Sequence, residues 1–169
     1  ASSGLSIPMI DPSDGQVFDA IARGNADDVN GAVSAARRCQ QTIWSRLPAV
    51  DRGRLVMRLS NAVVAHADEL AAIEQRDCGK PTRQANADVA ALARYLEFYS
   101  GACDKLHGVT IPYLDGYSVL TWREPHGVTG HIIPWNYPLQ IFGRSVGGAL
   151  AAGNSCVLKP AEDACLSLI

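Results

Sequence analysis

Two short segments of the 169-residue chain gather side chains that can do polar chemistry. Pro134-Trp135-Asn136-Tyr137-Pro138 supplies a flat aromatic ring and an amide. Lys159-Pro160-Ala161-Glu162 supplies an ammonium and a carboxylate three residues apart. An amide N–H can hold a developing oxyanion, a lysine can donate to ribose hydroxyls, and a glutamate can accept from them. The set suits a nucleotide or a sugar. Each member also has a plain structural reading: Lys159 and Glu162 as a solvated pair that helps a helix start, Asn136 as a turn residue, Trp135 as packing.

The elements that must position these segments show in the surrounding pattern. Val128–Ile133 is a short, mainly apolar run, 138–152 a helical stretch with Gly153-Asn154 as its stop, and 155–158 a second apolar run. Strand, helix, strand in that order is a βαβ unit, whose strands are parallel and whose crossover is right-handed. In open parallel sheets, ligands bind beyond the carboxyl ends of the strands, where both segments fall. After Lys159, a proline and two carboxylates (Glu162, Asp163) predict the start of another helix.

Upstream the chain reads as helical. Val29, Ala32, Val33 and Ala36 fall on one face of a helix between Asp27, its expected N-cap, and Trp44. Asp51 opens a second helix with Leu55, Leu59, Ala62 and Val63 inward. Asp68 caps a third that ends at Gly79 and Pro81, and a fourth runs over 82–104 with Val89, Leu92, Ala93, Leu96 and Tyr99 stacked. In 109–123, β-branched and aromatic residues flank Asp115-Gly116, predicting a hairpin with a type I′ turn. Residues 1–25, rich in Gly, Ser, Pro and Asp, read as an extended lead-in.

Composition narrows the function classes. Hydrophobic residues make up 47% and charged residues 19%, and 15 Lys plus Arg against 17 Asp plus Glu give a net charge of −2. These values describe an ordinary globular domain and carry no basic footprint for nucleic acid or an anionic membrane. No apolar stretch reaches the roughly 20 residues of a membrane span. Cys39, Cys78, Cys103, Cys156 and Cys165 form no C-x-x-C pair, which favours reduced thiols and a cytoplasmic setting. Cys156 and Cys165 read as structural. His66, His107, His126 and His131 lack ligand spacing, so no metal site is expected. Neither standard phosphate-binding glycine loop is present.

In order along the chain, Asp11-Pro-Ser-Asp-Gly15, Asp77-Cys-Gly-Lys-Pro81, Arg123-Glu-Pro-His-Gly-Val128, Pro134-Trp-Asn-Tyr-Pro-Leu139, Ala149-Leu-Ala-Ala-Gly-Asn154 and Val157-Leu-Lys-Pro-Ala-Glu162 resemble the aldehyde dehydrogenase superfamily. The resemblance implies an α/β fold: a helical N-terminal layer plus a partial Rossmann-like parallel sheet (βαβ) of the cofactor-binding domain. It implies three parts, with 1–106 as lead-in and helices, 107–125 as a β-hairpin oligomerisation arm that would make a homo-oligomer, and 126–169 as a partial dinucleotide-binding unit.

In such enzymes a cysteine thiolate attacks the aldehyde, an asparagine amide helps hold the oxyanion, hydride passes to a nicotinamide, and a glutamate activates water. By position, Asn136 resembles that asparagine and Lys159 and Glu162 resemble the adenosine-ribose contacts. Ile132, Ile133, Pro134 and Trp135 resemble part of the wall behind the dinucleotide. Glu162 would repel a 2′-phosphate, which favours NAD over NADP. The family's Gly-rich turn, general base and nucleophile lie beyond Ile169, so the segment alone is expected to be inactive. Many members carry lysine where Ser145 stands, beside Arg144. Two other readings stay open: a truncated, non-catalytic protein that joins full-length subunits through its hairpin or open sheet edge, and an unrelated nucleotide-binding module.

Overall fold

The computed structural model describes residues 1–169. Its elements are β1 (Ser6–Ile10), β2 (Val17–Ala22), α1 (Ala26–Thr42), α2 (Ala49–Ala65), α3 (Ala67–Cys78), α4 (Thr82–Ala102), β3 (Thr110–Ile111), β4 (Val119–Leu120), β5 (Val128–Ile133), α5 (Pro138–Ala151) and β6 (Ser155–Pro160). The strands form three two-stranded sheets, antiparallel β1–β2 and β3–β4 and parallel β5–β6. The βαβ unit thus stands where the apolar runs place it.

The core lies where α4 packs on α2, α3 and α5. Val56 and Val63 of α2, Ala71 of α3, Ala85, Val89, Leu92, Ala93 and Leu96 of α4 and Leu139 of α5 bury together. Helices α4 and α5 approach closely because Gly147 has no side chain: a Cβ there would stand 2.6 Å from the Tyr99 ring. The buried face of α2 differs from the expected one. Leu55, Leu59 and Ala62 are exposed, whereas Gly53, Val56, Ser60 and Val63 turn inward. Gly53 lets α2 meet the Ser100 carbonyl, and Ser60 Oγ donates to the Ala93 carbonyl at 2.8 Å. A glycine and a serine therefore occupy core positions that apolar periodicity passes over.

Other expectations are corrected locally. The extended lead-in pairs with itself: β1 and β2 form a hairpin whose register shifts between Met9 and Ile10 and breaks the two-residue alternation. Met9 is its buried anchor. The N-cap of α1 is Asn25, not Asp27, in a capping box with Asp28. Val29 and Ala32 are exposed, and α1 faces inward through Val33, Ala36 and Gln40. Helix α2 begins at Ala49 after Pro48, and His66 holds the cap position of α3, so Asp51 and Asp68 sit in first turns instead. Gly79 adopts φ +67°, the left-handed stop expected of it. The turn at Asp115-Gly116 has positive φ at Gly116 alone, which rules out type I′. Beyond Lys159 the chain makes a turn and one short 3₁₀ turn, Leu166–Leu168. The longer helix expected after Lys159 is absent: residues 161–165 run as turn and loop, and the 3₁₀ turn begins at Leu166, whose N–H donates to Asp77 Oδ2 at 2.8 Å. No helix is long and apolar enough to cross a membrane.

Candidate active site at the carboxyl ends of the parallel pair

Register decides which side chains meet. In the parallel pair Ile132 lies opposite Lys159 and Ile133 opposite Pro160. Successive residues of a strand face opposite ways, so Ile132 and Lys159 leave one face while Ile133 leaves the other. Ile133 is 1% exposed and belongs to the core, whereas Ile132 is 82% exposed. Its open face is covered only at its start, where Gln40 of α1 accepts from Ser155 Oγ (2.7 Å) and donates to the Gly153 carbonyl (2.9 Å). Toward the carboxyl ends the face is bare: Gly130, Ile132 and Lys159 are all exposed.

At the rim of this shelf Lys159 Nζ donates to Glu162 Oε2 at 2.5 Å. That hydrogen bond is the main cause of a Glu162 carboxyl held below the usual range. Pro134, Trp135 and Asn136 follow β5 directly and are exposed. The structure thus gathers Ile132, Trp135, Asn136, Lys159 and Glu162 at one end of the sheet, and turns the Ile133 side chain away from it. Ile133 meets this rim through its backbone, its carbonyl accepting from Ala161 N–H at 2.9 Å.

The loop bearing Asn136 is held from beneath by the elbow between α3 and α4, which sequence reasoning missed. Cys78 Sγ donates to the Trp135 carbonyl at 3.4 Å, and Gln84 Nε2 to the Tyr137 hydroxyl at 3.4 Å. Lys80 Nζ sits 4.9 Å from the Tyr137 ring centroid and donates at 2.7 Å to both Glu74 Oε1 and Asp88 Oδ2, two fully buried carboxylates. Burial works against the Lys80 ammonium, but the bonds to Asp88 and Glu74 outweigh it and raise its pKa. The remaining carboxylate oxygens accept from Gln140 Nε2 of α5 (2.6 Å) and Ser167 Oγ (2.6 Å). One signal was available: Asp88 sits in the apolar stripe of α4 beside Ala85, Val89 and Leu92, where a carboxylate needs a buried partner.

Four of the five thiols are shifted upward by burial, Cys78 to about 12 and Cys165 to about 11, with Cys103 and Cys156 in the same direction. None of those four is a thiolate near neutral pH. Ser145 Oγ lies 2.6 Å from His131 Nδ1, and Arg144 stacks over Tyr95 at 5.4 Å.

The sequence pattern of the aldehyde dehydrogenase family matches residues 1–169, the entire chain. The chain belongs to the aldehyde dehydrogenase family. Among curated relatives, the mitochondrial benzaldehyde dehydrogenase of Antirrhinum majus is 45% identical over 171 residues, covering 100% of this chain and 32% of its own length. A Burkholderia cenocepacia crystal structure of the aldehyde dehydrogenase type superposes with a TM-score of 0.97 at 65% identity, over 99% of this chain and 35% of that one. PnpE from Pseudomonas sp. WBC-3, solved in complex with nicotinamide adenine dinucleotide, gives a TM-score of 0.94 at 38% identity over 98% and 34% of the two chains. The chain therefore spans about a third of the length of these relatives.

Proposed function

We propose that residues 1–169 are the N-terminal part of an NAD-dependent aldehyde dehydrogenase, contributing the oxyanion amide and the adenosine-ribose anchors. The observation that carries this reading is the placement of Ile132, Lys159 and Glu162 on one bare shelf, with Asn136 on the loop that leaves the same end. The donor set fits a dinucleotide. An exposed apolar side chain beside an ammonium and a carboxylate offers one surface for a base or ribose ring and partners for two hydroxyls. When bound, NAD supplies the hydride acceptor.

In this reading Lys159 donates to a ribose hydroxyl and Glu162 accepts from one. Ionised Glu162 also disfavours a 2′-phosphate, which selects NAD over NADP. Ile132, Pro134 and Trp135 form the wall, and Ile133 contributes its backbone only. Asn136 donates its amide N–H to the aldehyde oxygen as negative charge grows there. The nucleophile is assigned to a segment outside residues 1–169: burial raises the pKa of Cys78, Cys103, Cys156 and Cys165, and Cys39 lies on α1 beside Gln40, which packs at the starting end of β6, away from Asn136. Residues 107–125 serve as an arm between subunits of a homo-oligomer: Tyr113, Leu114, Tyr117 and Trp122 are exposed along it. Light scattering of the full-length protein tests this, and a monomer at all concentrations contradicts it. Five cysteines with no disulfide between them suit a reducing, cytoplasmic setting.

Titration of the full-length protein with NAD and NADP tests the ribose assignment. Lys159→Ala is expected to weaken NAD binding about tenfold or more, the scale of a lost charge-assisted hydrogen bond. Equal NAD affinity in variant and parent removes Lys159 from the site.

A further inference from the structure

We infer that the α3–α4 elbow is a positioning device for Asn136, acting through the two residues that flank it. The inference rests on the reading of Asn136 given above and adds what holds it in place.

Residues 134–136 lie between the last ladder bond of β5 and the first turn of α5: Ala161 N–H donates to the Ile133 carbonyl, and Ile141 N–H donates to the Tyr137 carbonyl. An exposed amide on such a span needs an outside constraint to stay aimed at one point. The elbow supplies it on both sides. Cys78 holds the Trp135 carbonyl, and Gln84 and Lys80 hold the hydroxyl and the ring of Tyr137.

These anchors are themselves fixed. Lys80 is pinned between Glu74 of α3 and Asp88 of α4, and Asp88 also receives Gln140 from the first turn of α5. Three helices thus meet under one loop residue. The Cys78 thiol stays protonated at any working pH, so its S–H remains a donor throughout.

The test uses the full-length enzyme and the single-turnover rate of aldehyde-dependent NADH formation. Cys78→Ala combined with Gln84→Ala removes both flanking bonds while leaving the buried ion cluster untouched. The pair is expected to slow the single turnover roughly tenfold, with both KM values within about twofold, the pattern of a misplaced reacting group. Cys78→Ser, which keeps a donor, restores most of the Cys78 share. In an Asn136→Ala background the same pair is expected to change nothing.

An equal loss with and without Asn136 means a general structural effect and overturns the inference, as does no loss in the parent background. If Asn136→Ala itself has no effect, the reading of Asn136 fails first and takes the inference with it, a result distinct from the other two. Should Cys78→Ala lower the folded yield, Gln84→Ala alone decides the matter, since it truncates a side chain at the protein surface.

Discussion

Ile132 lies directly across the parallel pair from Lys159, and the two side chains leave the same bare face. Ile133, the next residue along, points into the core. Adjacent isoleucines should therefore fail in opposite ways.

Ile132→Glu is expected to raise the KM for NAD with little change in the urea midpoint, because the position is open to solvent and an anion there removes the apolar surface and repels the negatively charged dinucleotide. Ile133→Ala is expected to cost about 2–5 kcal/mol of stability, the usual range for truncating a buried isoleucine. Urea unfolding of both variants, with NAD kinetics, checks the pair. A large stability loss at Ile132 would show that its face is covered in the full protein.

Lys80→Met should destabilise the fold by about 3–5 kcal/mol, because it strands Glu74 and Asp88 as neighbouring buried carboxylates. Replacing all three by apolar residues of similar volume should recover much of that loss. Equilibrium unfolding distinguishes the two variants; a near-neutral Lys80→Met would mean that the carboxylates carry a proton instead.

Burial lowers the pKa of the His131 ring below its ordinary 6.5, which favours the neutral form. Its Nδ1 faces Ser145 Oγ at 2.6 Å and its Nε2 faces Thr129 Oγ1 at 2.9 Å. With the folded pKa depressed, the unfolded chain binds more protons, so stability rises with pH up to about 6.5 and is then flat with respect to this group. Acidification below about pH 6.5 is expected to cost stability, and His131→Gln should flatten that slope. An unchanged slope assigns the pH dependence to other residues.

The βαβ unit was legible because each of its parts is a strong local signal: short apolar runs for the strands, proline at the start and Gly153-Asn154 at the end of the helix. The site segments followed from that topology, since the carboxyl ends of parallel strands can be read directly. What escaped depends on partners distant in sequence. The β1–β2 hairpin shifts register at Met9, and the inward face of α2 uses Gly53 and Ser60, whose fitness lies in the Ser100 and Ala93 carbonyls they meet. Likewise the role of Lys80 is invisible until Glu74, Asp88 and Tyr137 are brought around it, and nothing local to Asp77 shows that it accepts the N–H of Leu166, 89 residues later.

The central claim is that Asn136 holds the charge that develops on the aldehyde oxygen, and Asn136→Ala in the full-length enzyme tests it most directly. The single-turnover rate of NADH formation is expected to fall by about 10²–10³, the cost of removing one oxyanion donor, with NAD affinity unchanged. A variant that retains the parent rate contradicts the assignment and leaves Asn136 an ordinary turn residue.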